Sequence, residues 1–259
     1  MSNFAKKMGN LCRLLGLNFP MFGNAMRSVP FYLRDYFSLR KQIRQSAGEF
    51  EIRRFIPCLS DRFEEAGQGD GQYFLQDIFV AGKIFKNNPK IHVDIGSSVS
   101  GFVAHLAVFR EIEVFDIRKL TTQIPTIRFK QADFMSEDIG LKDYCDSVSS
   151  LHAIEHFGLG RYGDKVDYNG HLKGLNNIYR MLIKGGKFYF SVPIGRQRID
   201  FNANRVFSVL YLLELFNKKY SLDSFSYIDD MGKFHTDLAS VSYDIQVENG
   251  LGIFELTKL

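Results

Sequence analysis

The chain has 259 residues, 45% of them hydrophobic and 24% charged, with 25 Phe, 12 Tyr, no Trp and only 6 Pro. At roughly 100–200 residues per domain this is one large domain, or one with an appendage, and the low Pro and Cys content excludes collagen-like, disordered and disulfide-scaffold classes. Three cysteines (Cys12, Cys58, Cys145) without a CxxC pair indicate neither a zinc knuckle nor a disulfide framework and favour a reducing, cytoplasmic compartment, while a net charge of +4 is too mild to argue for nucleic acid.

The N-terminus begins like a signal peptide, with Lys6 and Lys7, but Arg13 interrupts the apolar run and no small-residue cleavage site follows. Residues 1–50 hold eight Lys/Arg against Asp35 and Glu49, a balance of +6, so the remaining residues carry −2. Val29, Leu33, Tyr36, Phe37 and Ile43 recur near the helical period, and Pro20 and Pro30 are expected to divide this arm into short pieces. Two readings compete: a helical arm with a solvated basic face, or a basic amphipathic surface for anionic lipid, glycolipid or a partner protein. Gly67, Gly69 and Gly71 mark the boundary between an arm (1–66) and a main domain (72–259); with no Lys-Ser/Thr following, they are not a phosphate loop. The longest apolar run, 206–216, contains Glu214 and is far shorter than the ~20 residues of a membrane span, so the chain reads as soluble or membrane-peripheral.

Beyond the boundary, a helix is expected over 73–85, a strand over 91–96 ending in Gly96, a helix over 102–109, and strands over 112–115, 126–130 and 146–151. A helix over 172–183 stops at Gly185-Gly186, a strand over 187–192 ends at Pro193, a helix covers 206–216 and a last strand 252–259. This alternation predicts an α/β fold, a doubly wound, mostly parallel sheet with helices on both faces and an N-terminal basic helical arm.

In such a sheet the ligand sits outside the carboxyl ends of the strands. Those ends carry Asp94 and Gly96, Asp116, Asp133, Leu151 and His152, and Pro193. Acids at successive strand ends are not what a core needs, because unpaired buried acids are costly. They suit a ligand with an ammonium, a ribose diol and an exocyclic amine. Gly96 allows a sharp turn and close approach; Ser97, Ser98 and Ser100 lead to a helix start near Gly101, which attracts a carboxylate or phosphate. Asp116, 20 residues beyond Gly96, is placed for ribose hydroxyls. The run from Gly96 to Gly101 lacks the second glycine of a dinucleotide fingerprint, which favours a mononucleoside.

With these signals in order, residues 73–259 resemble the seven-stranded, S-adenosylmethionine-dependent (class I) methyltransferase superfamily. The likeness is carried by Val93-Asp94-Ile95-Gly96, Phe115-Asp116, Ala132-Asp133-Phe134, the tract 146–156 with its Glu155-His156, and Leu182 to Gly186 running on to Val192-Pro193. It departs at Ser98 and Ser100, where the family usually has glycines. The tracts 73–77, 158–164 and 201–206 look like a branch associated with bacterial surface-sugar biosynthesis. The resemblance implies that Asp94 and Gly96 hold the methionine ammonium and the turn, with Ser97, Ser98 and Gly101 beside them. It implies that Asp116 takes the ribose hydroxyls, that Asp133 accepts the adenine amine beside the Phe134 backbone, and that Leu151 and His152 line the methionine and the methyl. The implied activity is S-adenosylmethionine-dependent O-methylation of a sugar or nucleotide-sugar. Alternatives are a catalytically silent methyltransferase-like binding protein and an RNA methyltransferase using the basic arm, the latter disfavoured by the even charge after residue 50.

His152-Ala153-Ile154-Glu155-His156 fits H-x-x-E-H, but a strand-end first histidine argues against zinc, and no metal is expected. His156 is the candidate to take a proton from an attacking hydroxyl, with bracing of its helix as the alternative and His152 as the second catalytic candidate. The polar loop 158–171, with Arg161, Tyr162, Asp164, Asp167 and His171, and the residues Arg198, Asn202, Asn204 and Arg205 read as the acceptor side. His92 and His105 read as structural.

Overall fold

The computed structural model describes residues 19–45, 52–59, 61–63, 71–238 and 245–259, and the chain divides into two units, 1–68 and 69–259. The apolar run before Arg13 and most of the Gly-rich boundary lie outside the described residues.

In the first unit a single helix, α1 (Phe19–Gln45), runs through both prolines that were expected to break it. Pro20 sits in the first turn, where its missing N–H has no intrahelical partner anyway, while Pro30 is interior and forfeits one backbone bond. Arg27 stacks over Phe63 at 4.4 Å and Asp35 pairs with both Arg34 and Arg62. Phe22, Leu33 and Phe37 face solvent.

The second unit begins with α2 (Gln72–Asn87), whose buried residues Gln76/Asp77, Val80/Ala81 and Ile84 recur every four positions and define its inner face. Asn88 closes it in left-handed backbone (φ 44°), its N–H on the Ile84 carbonyl. Strands β1 (His92–Ile95), β2 (Ile112–Asp116), β3 (Ile127–Gln131) and β4 (Cys145–Leu151) follow, all parallel to their neighbours. Between β1 and β2 a wide turn, Val99–Val103, leads into a short helix α3 (Ala104–Ala107). Helix α4 (Gly170–Met181) is followed at once by β5 (Leu182–Ile194). The helix thus stops before Gly185-Gly186, which instead lie within the strand, Gly185 at φ +76°.

A small hairpin, β6 (Arg198–Asp200) and β7 (Asn204–Val206), precedes α5 (Val209–Phe216). The apolar run over 206–216 is therefore strand end plus helix, separated by Ser208, whose hydroxyl accepts the Tyr211 N–H and caps α5. Strands β8 (Tyr220–Ile228), β9 (Phe234–Leu238) and β10 (Gly250–Lys258) complete an eight-stranded sheet of order β3-β2-β1-β4-β5-β10-β8-β9. The first five strands are parallel; β10 inserts antiparallel between β5 and β8.

Each face of the sheet buries its own core, because alternate residues point to opposite sides. Phe188, Phe190, Val192, Phe254 and Leu256 pack with Leu175 and Ile178 of α4 and Leu212 and Phe216 of α5. Tyr189, Ile112, Val114 and Ile253 pack with Val80 and Ile84 of α2 and with Leu106 of α3.

Candidate functional site

The chain leaves β1 toward β2 and β3 on one side and returns to β4 on the other, so the loops after β1 and β4 diverge and open a crevice at their carboxyl ends. Gly96 makes the turn out of β1 at φ +73°, its N–H bonded to the Phe115 carbonyl. A Cβ here would meet the Ala153 Cβ at 2.9 Å, so only glycine fits.

Beneath the turn runs a polar seam. Parallel pairing sets His92 beside Ser147 and Asp94 beside Ser149 on the α2 side of the sheet. Asp94 is fully buried and accepts from the Ser97 N–H (3.0 Å), the Ser97 hydroxyl (2.6 Å) and the Ser149 hydroxyl (2.6 Å). Because the single Ser149 proton goes to Asp94, His92 donates from Nε2 to Ser149 (3.1 Å) and accepts at Nδ1 from Ser147 (2.8 Å). Burial holds His92 neutral, its pKa lowered to about 3. His92 is thus structural, as its sequence setting suggested, and so is His105, bonded to the Gly101 carbonyl. The Ser97 hydroxyl in turn accepts the Leu151 N–H, tying the two diverging loops together.

Asp94 is therefore not placed to grip a ligand ammonium: its carboxylate faces the interior and anchors the loop from below. Burial, partly offset by the Ser149 and Ser97 bonds, raises its pKa to about 6. The folded state keeps this proton at pH values where the unfolded chain has released it. Asp94 thus costs stability as pH rises from about 4 to about 6, by about 3 kcal/mol in all, and nothing further above that. Urea melts of wild type and Asp94→Asn across pH 4–7 should show the wild-type advantage shrinking over that window and then levelling. A wild-type advantage that grows with pH would contradict the buried assignment.

Above the seam lies a cleft of about 700 Å³, within the ordinary range of small-molecule sites. It is lined by Gly96, Ser97, Ser98, Asp116, Asp133 and Phe134, and by apolar side chains including Ile117, Ile124 and Phe129. Asp116, at the end of β2, is gripped by Arg118 through the backbone N–H (2.8 Å) and a fork from Nε (3.0 Å) and Nη2 (2.6 Å). The same guanidinium lies 4.4 Å over the Tyr162 ring. Asp133 accepts the Met135 N–H at 2.8 Å, and Asn177 of α4 donates to the Phe134 carbonyl, which fixes the chain where it leaves β3.

A second, more polar chamber of about 440 Å³ shares Ser97, Ser98, Ser100, His152, His156 and Tyr162 with the first. It takes in Leu151 and Gly101, which the larger cleft does not, together with Tyr73, Gln76 and Asp77 of α2. Gly101 lets the Asp77 carboxylate approach: a Cβ would lie 2.8 Å from Asp77 Oδ2 and push it aside. Burial raises the Asp77 pKa against the Gln76 bond, and burial followed by the nearby Glu155 raises that of Tyr73. His156 donates from Nδ1 to the Ala203 carbonyl (2.7 Å) and packs edge-on to Tyr162; burial lowers its pKa. His152 packs edge-on to Tyr73 at 4.6 Å.

Of the loop after β4, Arg161 and Tyr162 line the second chamber. Asp164 turns inward onto the N–H groups of Gly158, Gly160 and Tyr162, Asp167 pairs with Lys173, and His171 bonds the Tyr211 hydroxyl. These three acids and bases serve separate partners. Arg205, expected on the acceptor side, is buried and spends both Nη groups on four carbonyls, those of Glu155, Phe157, Asp167 and Tyr168, so it staples the loop. Arg198 is engaged with Asp200, Glu248 and Asn249, whereas Asn204 lines the second chamber. Arg118 was not singled out from sequence, and Gln76, Asp77 and Glu155 entered only as members of motif tracts, with no place in the site. Arg118 follows a strand-end acid by two residues, but the α2 residues reach the site only through tertiary packing.

Among solved structures the chain is similar to 1,6-didemethyltoxoflavin-N1-methyltransferase from Burkholderia thailandensis, which was crystallised with 1,6-didemethyltoxoflavin and S-adenosylhomocysteine. Identity is 13%, 71% of this chain and 79% of that chain are covered, and the TM-score is 0.50. It is also similar to the N-methyltransferase NodS from Bradyrhizobium japonicum, at 11% identity, 73% and 89% coverage and a TM-score of 0.47. The first likeness identifies the fold as that of class I methyltransferases. No curated protein matches the chain. A family model matches residues 104–248, 145 of the 259 residues, and the chain belongs to that family, described as "Caenorhabditis protein of unknown function, DUF268".

Proposed function

We propose that this chain is an S-adenosylmethionine-dependent methyltransferase that O-methylates a small, hydroxyl-rich acceptor of the sugar or nucleotide-sugar type. The observation that carries the reading is that Asp116 and Asp133, at the ends of adjacent strands, open on one cleft with Gly96 and Phe134 at the point where strand order reverses. The donor set fits the cofactor. Arg118 takes three of the roughly four lone-pair sites of the Asp116 carboxylate, so two ribose hydroxyls are accepted once its half-exposed side chain releases the fork. Asp133 has a free oxygen for an exocyclic amine, and Ile117, Ile124 and Phe129 offer an apolar slot for a purine. The Gly96 to Ser100 turn, which lines the same cleft, would hold the methionine end. When bound, S-adenosylmethionine supplies a methyl group activated on a sulfonium. The chain's own part is to orient the acceptor, keep water out and remove the acceptor's proton.

The hydroxyl-rich acceptor is supported by the second chamber, where Gln76, Ser100, Arg161 and Asn204 offer polar groups and Tyr73 offers a ring. No helix among the described residues is long and apolar enough to cross a membrane. Residues 1–50, with their +6 balance, are the part suited to an anionic surface or a protein partner, and the free thiols Cys58 and Cys145 suit a reducing cytoplasm. Isothermal titration with S-adenosylhomocysteine should give micromolar binding. Absence of heat up to about 1 mM, weaker than about −4 kcal/mol, would dismiss the cofactor. Transfer of labelled methyl to a nucleotide-sugar panel then tests the acceptor class.

A further inference from the structure

We propose that the smaller chamber holds the acceptor hydroxyl against His152, that His152 takes its proton through Nε2, and that Glu155 is the positioning residue behind it; this rests on the methyltransfer reading above. Glu155 is fully buried, and among the described residues neither carboxylate oxygen has a hydrogen-bond partner. A buried acid left so is costly, and in a native structure it calls for a reason. Its neighbours are two imidazoles: His152 Nδ1 at 2.9 Å and His156 Nε2 at 3.5 Å from the same oxygen. The His152 contact is within hydrogen-bond distance but off-axis, as catalytic pairs commonly are before substrate tightens them.

The two histidines are not equivalent. His156 spends its Nδ1 proton on the Ala203 carbonyl, so it braces the loop. His152 faces Glu155 with Nδ1, and its Nε2 is buried without any partner among the described residues. A neutral imidazole whose Nδ1 proton points at a carboxylate has a lone pair at Nε2, and that lone pair is the group left over. His152 also lies in left-handed backbone, φ 50°, which is strained for a non-glycine residue, and such strain clusters at functional sites. Its N–H is pinned to the Ser191 carbonyl at 3.0 Å, and Ser191 in turn donates to Gln76. His152 lines both cavities, so it stands where a hydroxyl in the smaller one meets a methyl carbon in the larger.

In the step proposed, the acceptor O–H proton passes to Nε2 while an oxygen electron pair forms the new O–C bond and the sulfonium C–S bond breaks with its pair going to sulfur. The neutral thioether and the methyl ether leave, and the imidazolium returns its proton to solvent. A neutral hydroxyl is a weak nucleophile until its proton is taken, so a base placed in this way suits a hydroxyl acceptor.

The test uses full-length protein labelled with ¹⁵N-histidine and long-range ¹H–¹⁵N correlation spectra, His152→Gln identifying the signal. At pH 7 His152 should carry its proton on Nδ1, and Glu155→Gln should redistribute it toward Nε2. A wild-type His152 with Nε2–H, or a tautomer that Glu155→Gln leaves unchanged, would overturn the proposal; Glu155→Asp serves if the amide variant does not fold. Calorimetry with S-adenosylhomocysteine separates the two levels of argument. Wild type and His152→Gln should bind within about threefold of each other, whereas a loss above tenfold would place His152 on the cofactor and reject its role as base. Failure of wild type to bind at all would reject methyl transfer itself, whatever the tautomer.

Discussion

Replacing Asp116 by alanine should weaken S-adenosylhomocysteine binding about 100-fold or more. Hydrogen bonds to a charged group contribute about 1.5–3 kcal/mol each, so two ribose hydroxyls on one carboxylate amount to about 3 kcal/mol or more, which release of the half-exposed Arg118 fork offsets by only about 0–1 kcal/mol. Asp116→Asn keeps one acceptor oxygen and should fall between, near tenfold. Stability should barely move, because the partner that is lost, Arg118, is half exposed, and ion pairs of that kind are worth about 0–1 kcal/mol. Calorimetry beside thermal melts reads both quantities. An Asp116→Ala protein that binds as wild type would show that the ribose site lies elsewhere, and a protein that no longer folds would show that the Asp116–Arg118 fork is structural.

Gly158→Ala should be the most destabilising single-methyl change in the site. Gly158 sits at φ +78°, and a Cβ there would lie 2.0 Å from the Asp167 carbonyl oxygen and 2.9 Å from its carbon. That carbonyl cannot step aside freely: it accepts from the Gly170 N–H at 3.0 Å, and the Asp167 N–H returns to the Gly158 carbonyl at 3.0 Å. Gly163 supplies the control in the same loop, at φ +81° with nothing among the described residues within 4 Å of its Cβ position. Gly163→Ala should cost only the backbone term, about 1–2 kcal/mol. Gly158→Ala should cost at least about 2 kcal/mol more, which in a domain of this size lowers Tm by a further ~4–8 °C. Equal costs for the two substitutions would mean that the loop does not close on itself in solution.

The strands that position the site were legible because parallel strands buried on both faces read as short apolar runs between breakers. The boundaries of β1, β2, β3 and β4 came within a residue or so of those expected. Strands β8 and β9 were not legible. In β8 the sequence Tyr-Ser-Leu-Asp-Ser-Phe-Ser-Tyr-Ile loses its alternation where the register against β10 shifts, and the period-2 signal dissolves there. Pro30 misled for a different reason: the rule that proline ends a helix is an energetic preference, which the rest of a 27-residue helix outweighs.

Within the site, the acids at the ends of β2 and β3 reach the cleft, and Asp94, on β1, does not. From sequence all three look alike. What separates them is Ser149, which parallel pairing sets beside Asp94 across β1 and β4 and which no local pattern announces. Arg205 shows the same gap in reverse: in sequence it is a polar residue in a loop, and in the fold its guanidinium holds four carbonyls together.

Helix α4 carries glycines at the two positions where the loop after β4 rests on it. A methyl at Gly170 would strike the Phe157 carbonyl at 2.7 Å, and one at Gly174 would strike the Phe157 ring at the same distance. With Arg205 clamping the loop from its other side, that segment behaves as an extension of the scaffold. Variation that retunes which guest is accepted is thereby channelled to the outward-facing Arg161 and Tyr162 and to the first turn of α2. A library aimed at altered selectivity would do best to diversify those positions and leave the clamped stretch alone.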